Sequence, residues 1–253
     1  MSTIRKFINL NIKLSMSFES LFNFENSDKK LIEKFLKSFQ KDFSIADVGG
    51  GKKPAKKLIG INTDGYGVYD GYDISLDELK EARNEYTNIY EIDLTDRSFK
   101  AEKRYDRVIC MNTLEHVSDT DISIRNLTTM LNDNGILYLK LPCSHAIFSK
   151  LNLLLPNDFK KRLLLRVYPS KIGDGFPAFY DKSTPEEITS ICKKNHLDIL
   201  EVNLIKWSSY FTFFFPIYFI WRIAALIQNK FLSDYCESFE IIAIKKKAND
   251  KEL

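Results

Sequence analysis

A glycine cluster and two aspartates lie where three successive predicted strands end. Asp47-Val-Gly49-Gly50-Gly51 closes the first strand, Asp73 closes the second and Asp93 the third. Glycines let the backbone bend sharply and bring its N–H groups against a ligand. Carboxylates accept hydrogen bonds, so Asp73 could hold a ribose diol and Asp93 an exocyclic amine. Each aspartate alone is more typical of a helix cap or turn, but the combination predicts a nucleotide-cofactor site.

Three side chains are candidates for removing a proton from a substrate. His116 follows the fourth predicted strand, His145 follows the fifth, and Tyr180 lies in an irregular segment together with Asp181. Imidazole and phenol groups can act as general bases when they reach the reacting atom. A lone histidine more often makes a structural hydrogen bond, so both interpretations stay open for each. His196 precedes the sixth strand, which predicts a position at the opposite edge of the sheet.

Composition narrows the functional classes. The chain has 253 residues, of which 44% are hydrophobic and 28% charged, and its formal net charge is +3. These values predict one large domain, or one domain with an insertion, and give no reason to expect nucleic acid as a partner. The four cysteines form no CxxC pair and no histidine stands at zinc-ligand spacing, so no metal site is predicted. Dispersed cysteines and the lack of a secretory signal favour a cytoplasmic protein.

Strand and helix patterns alternate along the chain. Apolar runs predict strands near 44–49, 68–74, 88–94, 107–112, 136–141, 197–204 and 239–244. Amphipathic spacing and capping residues predict helices near 28–39, 54–58, 76–86, 119–131 and 184–194. This alternation predicts an α/β fold with crossover connections and a parallel sheet covered on both faces.

We predict four segments. Residues 1–43 form a leader and helix, 44–142 the cofactor-binding core, 143–183 an inserted substrate cap, and 184–253 the C-terminal half, with an aromatic insertion at 206–236. The cap is predicted because proline and glycine interrupt the alternating pattern there.

The aromatic stretch 210–227 has three interpretations: a buried cap, a peripheral membrane contact or lipid-facing groove, and a dimer face. A membrane span is not expected, because strands on both sides would place its two ends on one side of the bilayer, and Pro216 and Arg222 weaken a span further. In the membrane interpretation, Arg222, Lys206 and Lys230 would meet anionic headgroups at the edges of the segment.

The motifs resemble those of the class I S-adenosylmethionine-dependent methyltransferases. Asp47-Val-Gly-Gly-Gly51 is similar to the first family motif, Gly71-Tyr-Asp73-Ile74 to the second and Glu91-Ile-Asp93-Leu94 to the third. The run from Tyr105 through Met111-Asn112-Thr-Leu-Glu-His116-Val is similar to the fourth motif in the small-molecule branch. The resemblance implies S-adenosylmethionine as cofactor, bound by Asp47, Gly49, Gly50, Gly51, Asp73, Ile74, Asp93, Leu94, Met111 and Asn112.

The same resemblance implies a fold and an activity. The expected fold is a Rossmann-like, doubly wound, seven-stranded, mostly parallel sheet with an antiparallel C-terminal strand and an inserted cap. Lys53 and Pro54 depart from the first motif, where a third glycine is common. The later part of the chain resembles bacterial enzymes of surface-polysaccharide and lipid-linked glycan pathways. The expected activity is methylation, on oxygen, of a small-molecule, glycan or lipid-linked acceptor. An NAD(P)-dependent oxidoreductase and a non-catalytic cofactor-binding module are the alternatives.

Overall fold

The structure, a computed structural model, describes residues 3–21, 27–61, 67–156, 177–231 and 235–247. The described helices are α1 Thr3–Glu19, α2 Ser27–Lys37, α3 Ala55–Ile59, α4 Leu76–Glu81, α5 Thr120–Thr129, α6 Ile147–Leu154, α7 Pro185–Lys194 and α8 Phe215–Phe231. The described strands are β1 Ser44–Val48, β2 Val68–Asp73, β3 Ile89–Glu91, β4 Tyr105–Met111, β5 Leu131–Pro142, β6 Leu197–Ile205 and β7 Ser238–Lys245. Short 3-10 turns cover Arg83–Glu85 and Leu114–His116.

All seven strands form one sheet in the order β3-β2-β1-β4-β5-β7-β6. The pairs β1–β2, β1–β4, β2–β3 and β4–β5 are parallel, whereas β7 runs antiparallel to both β5 and β6. The strand order reverses between β1 and β4, which is the point where doubly wound sheets place ligands. The predicted fold class is therefore confirmed.

The central strand β4 shows why the sheet is covered on both faces. Val108 and Cys110 point into one core, which includes side chains of α5 and α7, and Ile109 points into the other, which includes Leu31 and Phe35 of α2. Successive side chains of a strand face opposite sides, so a continuous apolar run requires two apolar layers. The same reasoning from the sequence predicted this strand.

Helix starts follow the predicted capping residues. Ser75 caps α4 by accepting a hydrogen bond from the Glu78 backbone N–H at 3.3 Å. Thr184 caps α7 in the same way, and Pro185 occupies its first turn. The start of β5 differs from prediction, because the turn-like residues after Leu131 join the strand through an irregularity opposite β4, with Asn134 at φ +61°.

The structure differs from the sequence-based predictions for the N-terminal residues and for Arg222. Residues 3–19, predicted only as part of a leader, form α1, which packs on α8. The prediction that Arg222 meets lipid headgroups is wrong, because Arg222 is 1% exposed and pairs with Glu19 of α1. Of the predicted cap, residues 157–176 lie outside the described residues.

Candidate active site

A cavity of about 790 Å³ opens at the carboxyl ends of the parallel strands. Its wall includes the turn after β1, the ends of β2 and β4, the residues after β3, and the segment 177–180. Of the predicted cofactor residues it contains Asp47, Gly49, Gly50, Asp73, Ile74, Asp93, Leu94, Met111 and Asn112. Of the predicted bases it contains His116 and Tyr180.

The turn after β1 depends on glycine at position 49. Gly49 has φ +78°, and its N–H donates to the Tyr72 carbonyl at 2.7 Å. A Cβ atom at Gly49 would lie 2.0 Å from the Thr113 Oγ1 atom. Both the backbone conformation and the lack of space therefore require glycine. The result is that backbone of the turn, with no intervening side chain, lies directly in the cavity wall.

Gly51 lies beside the wall, between two carboxylates. It has φ +47°, and a Cβ atom there would lie 2.7 Å from Glu78 Oε2 and 3.2 Å from Asp73 Oδ2. Gly51 is not itself among the lining residues, so its predicted contact with a cofactor stays a prediction. Its smallness keeps the Asp73 carboxyl group close to the glycine turn.

Asp47 holds the turn after β1 in position through hydrogen bonds of its side chain. Its Oδ2 atom accepts hydrogen bonds from the Ala55 backbone N–H at 2.7 Å and from the Tyr69 hydroxyl at 2.6 Å. The side chain is 1% exposed, and burial raises the pKa of its carboxyl group to about 6. These contacts join the end of β1 to the start of α3, so Asp47 positions the loop through protein contacts.

The two strand-end aspartates differ in environment. Asp73 is 8% exposed, accepts from the Ser75 backbone N–H at 2.9 Å, and has a carboxyl pKa raised by burial. Asp93 is exposed and forms a local turn, in which its Oδ1 atom accepts from the backbone N–H and the hydroxyl of Thr95 at 2.8 and 2.7 Å. Both carboxyl groups line the cavity and keep further acceptor capacity.

Asn112 turns the chain at the end of β4. It has φ +52°, a conformation that asparagine tolerates better than most residues, and its N–H donates to the Lys140 carbonyl at 2.7 Å. Asn112 and Met111 thereby form the part of the wall next to the glycine turn, while Leu94 lies in the wall after β3.

Glu115 is the site residue that sequence reasoning missed. Its side chain lines the cavity, although the residue is only 6% exposed. Its Oε2 atom is buried and has no hydrogen-bond partner among the residues that the structure describes. Burial raises the pKa of this carboxyl group to about 8. The only sequence signal was an acid directly before His116 in a motif at the cofactor edge.

Residues 177–180 cover Glu115 and orient His116. The backbone N–H groups of Phe179 and Tyr180 donate to the Glu115 carbonyl at 2.7 and 3.1 Å. The His116 Nδ1 atom lies 2.9 Å from the Pro177 carbonyl, which can only accept, so Nδ1 carries the proton. The His116 Nε2 atom then faces Glu115, at 3.8 Å from its Oε1 atom.

The other two predicted bases are placed differently from each other. Tyr180 is 8% exposed, has φ +52°, and its hydroxyl accepts from the Asn152 amide at 3.2 Å. It lies in the cavity wall, as an acceptor-binding role would need. His145 is exposed and does not line the cavity, so its predicted role as a base stays a prediction.

A pair of aromatic rings forms another part of the wall. Phe148 of α6 and Tyr210 lie with their ring centroids 3.6 Å apart and their planes 3° from parallel. Both rings line the cavity. Tyr210 precedes α8, so this wall joins the cavity to the aromatic segment whose role the sequence left open.

Comparisons with known proteins give one family and one fold. The sequence profile described as a methyltransferase domain matches residues 23–202, and no curated protein sequence matches the chain. Among solved structures, a chain of the complex containing the Haloferax volcanii Trm112 methyltransferase activator has TM-score 0.59 and 13% identity, with 98% of this chain and 100% of that chain covered.

Two further solved structures are similar. Magnesium protoporphyrin IX methyltransferase from Synechocystis, with bound SAH, has TM-score 0.50 and 16% identity over 97% of this chain and 89% of its own. A SAM-dependent methyltransferase from Methanosarcina mazei has TM-score 0.52 and 15% identity over 86% and 97%. At these identities the structural likeness shows the fold, whereas the profile match covers more than half of the chain.

Proposed function

The chain belongs to the methyltransferase-domain family, and from this premise we propose that it transfers a methyl group from S-adenosylmethionine to an oxygen atom of a small-molecule, glycan or lipid-linked acceptor. Family membership favours this reaction over an NAD(P)-dependent oxidation. The proposal places the enzyme in the cytoplasm, in keeping with cysteines that are all free and buried.

The residues at the strand ends fit the cofactor. Backbone of the glycine turn in the cavity wall suits close approach of the ligand, and Asp73 offers buried carboxylate oxygens to a ribose diol. Asp93 offers an acceptor to the adenine amine, and Leu94, Met111 and Asn112 form the surrounding wall. When bound, the cofactor supplies a methyl group on a sulfonium, which is already a good leaving group.

The observation that carries the oxygen acceptor is the Glu115 carboxyl group in the same wall, whose buried Oε2 atom has no hydrogen-bond partner among the described residues. Methylation of a hydroxyl requires that its proton be taken up. In the proposed reaction the acceptor oxygen gains the methyl group and gives its proton to the Glu115 carboxylate. A pKa of about 8 suits a base that works near neutral pH.

His116 and Tyr180 complete the proposed machinery. With its Nδ1 proton donated to Pro177, the His116 Nε2 atom can accept a proton or a hydrogen bond from the acceptor beside Glu115. Tyr180 and the Phe148–Tyr210 pair form the wall on which the acceptor would lie. Such a wall, mainly apolar with few polar groups, suits an organic acceptor.

The test uses S-adenosylmethionine labelled in its methyl group, incubated with separated lipid, glycan and small-molecule pools. We expect label in one pool, and binding of S-adenosylmethionine but not NAD by calorimetry. Cofactor binding without transfer to any pool would instead identify a non-catalytic binding module and overturn the proposal.

Two variants test the base once a labelled pool is found. We expect Glu115→Gln to retain cofactor binding and to lower turnover by roughly 10²–10⁴-fold. His116→Asn should have a smaller effect if His116 only orients the acceptor. The reverse ranking would make His116 the base, and normal turnover in both variants would contradict base catalysis at this wall.

A further inference from the structure

Helix α1 exposes apolar residues and buries polar ones. Phe7, Leu10 and Leu14 are 52%, 57% and 45% exposed, whereas Asn11 and Ser15 are 6% and 0% exposed. The spacing of three and four residues places the exposed side chains in one row along the helix. A helix with its outer side in water normally shows the opposite distribution, with apolar side chains buried and polar side chains exposed.

Helix α8 also exposes an apolar row, although its inner side is mainly apolar as well. Tyr218, Trp221 and Ala225 are buried on its inner side. The row on its outer side is apolar and exposed: Ile220 69%, Ile223 37%, Ile227 53% and Phe231 76%. We call this row, together with Phe7, Leu10 and Leu14 of α1, the outer apolar face.

The two rows belong to one surface because α1 and α8 are tightly joined. The ring centroids of Phe18 and Phe219 are 5.1 Å apart, and Asn11 accepts a hydrogen bond from the Phe215 backbone N–H at 2.9 Å. Glu19 accepts from the Arg222 Nε atom at 2.8 Å. The buried polar side chains of α1 therefore serve to fix this helix on α8 with its apolar row outward.

Apart from the paired Glu19, the described charged residues of the helices that carry and adjoin this face are all basic. The exposed charged residues of α1, α8 and the neighbouring α6 are Arg5, Lys6, Lys13, Lys150 and Lys230. The one acidic residue in these three helices is Glu19, which is paired with Arg222. Two copies of the face in contact would bring these cations together, whereas an anionic surface would attract them.

We propose that the outer apolar face docks this protein on the surface of an anionic lipid bilayer. Apolar rows with flanking lysines and arginines are the pattern of helices that lie in the membrane interface. Neither helix would cross the bilayer, since no described helix is long and apolar enough to do so. Docking on the surface also agrees with the chain order, because α8 connects β6 and β7, which are neighbours in one sheet.

Helix α8 is linked to the candidate active site through its buried inner side. Phe211 joins the two regions, with its ring 5.8 Å from that of Phe148 in the cavity wall and 6.0 Å from that of Trp221 in α8. Leu151 and Leu154 of α6 add exposed apolar surface at 41% and 77%. If the proposed methyl transfer is correct, docking would hold the enzyme at a surface that carries lipid-linked acceptors; this consequence alone rests on the proposed function.

The first test reports where the face lies. All four native cysteines are buried, so Ile220→Cys can be labelled selectively with the environment-sensitive dye NBD. We expect a blue shift with phosphatidylcholine vesicles that contain phosphatidylglycerol, and little shift with phosphatidylcholine alone. Leu200→Cys is the matched control, because Leu200 is 49% exposed on β6, outside the face. Ile227→Cys serves the same purpose if Ile220→Cys does not fold.

The second test concerns the charges. Lys6→Glu/Lys13→Glu should lower partitioning onto anionic vesicles roughly tenfold or more, because each basic residue near such a surface contributes to binding. Lys37→Glu/Lys41→Glu makes the same change in net charge at exposed residues of α2 and the turn after it, and should bind nearly as the native protein does.

Three results would overturn the proposal. No blue shift at either face position with anionic vesicles would exclude docking through this surface. A blue shift without vesicles that grows with protein concentration would identify a second copy as the occupant. Equal loss of binding in both charge variants would show attraction by net charge only. Calorimetry with S-adenosylmethionine, run on the same variants, keeps these outcomes separate from any failure of the proposed reaction.

Discussion

The Glu115 carboxyl group lies in the cavity wall, and its buried Oε2 atom has no hydrogen-bond partner in the described part of the chain. Its pKa rises from the ordinary 4.5 to about 8 because burial disfavours the charged form. Between these two pH values the folded protein holds a proton that the unfolded chain releases. The free energy of unfolding therefore falls as pH rises through this range, and the loss is complete above pH 8.

Glu115→Gln should remove this pH dependence, because glutamine stays neutral. We expect the variant to gain stability relative to the native protein as pH rises, from little difference near pH 5 to a few kcal/mol, at order of magnitude, near pH 9. Urea unfolding at several pH values measures it. Glu102→Gln, at an exposed position, is the control. If the stability difference between Glu115→Gln and the native protein does not change with pH, burial does not raise the pKa of the Glu115 carboxyl group.

Asp73 is the residue on which the predicted ribose contact depends. Asp73→Ala should weaken S-adenosylmethionine binding by about 1.5–3 kcal/mol, the worth of hydrogen bonds to a charged group. Asp77→Ala removes an exposed carboxylate four residues away in the chain and should bind normally. Titration calorimetry on both folded variants decides. Unchanged affinity in Asp73→Ala would mean that the ribose lies elsewhere.

The residues of the site differ in how far sequence could reveal them. Asp73 and Gly49 stand in local patterns, at strand ends that the apolar runs mark. Residues 177–180, more than sixty positions later in the chain, donate hydrogen bonds to the backbone carbonyl of the buried Glu115. Such a contact has no local signature, so an acid in a turn gave no reason to expect a raised pKa.

Among the elements, the glycine turn offers a controlled comparison. Gly49 and Gly60 have similar φ values of +78° and +72°, but a Cβ atom at Gly60 would meet nothing within 4 Å, whereas at Gly49 it would overlap Thr113. Both Ala variants should lose about 1–2 kcal/mol of stability from the left-handed backbone.

Only Gly49→Ala should also displace the turn and reduce cofactor binding. Thermal unfolding measures the shared strain, and calorimetry with S-adenosylmethionine measures the displacement. Equal affinities in Gly49→Ala and Gly60→Ala would show that the turn can absorb a side chain, which would contradict close approach of the cofactor to the backbone at this position.

The elements that sequence predicted are those with ordinary patterning. Strand β4 is a continuous apolar run and is buried on both faces, and Ser75 and Thr184 start their helices as caps. Helix α1 escaped prediction because its burial is inverted: Asn11 and Ser15 face the protein while Phe7 and Leu10 face out. The buried polar side chains find their hydrogen-bond partners in the Thr212 carbonyl and the Phe215 backbone N–H. These partners lie about two hundred residues away, so the local sequence does not indicate which side of the helix is buried.

At the scale of the whole molecule, one ion pair joins the two ends of the chain. Arg222 is 1% exposed, and its guanidinium group contacts the Glu19 carboxylate through both Nε and Nη2. The Tyr218 hydroxyl donates to the same carboxylate at 2.6 Å. Helix α1 is thereby fixed on α8 by residues about two hundred positions apart, a contact that no local pattern could predict.

Removing one partner of this pair should be more harmful than removing both. Glu19→Gln removes the carboxylate charge that pairs with the buried Arg222 guanidinium group and should cost about 3–5 kcal/mol of stability. Glu19→Gln/Arg222→Met removes the buried charge together with its partner, so much of that loss should be recovered. Urea unfolding of the two variants gives the difference. The exposed pair Lys80–Asp77 provides the control, since Asp77→Asn should change stability by well under 1 kcal/mol. A double variant no more stable than Glu19→Gln would show that α1 is held by its apolar contacts and not by this pair.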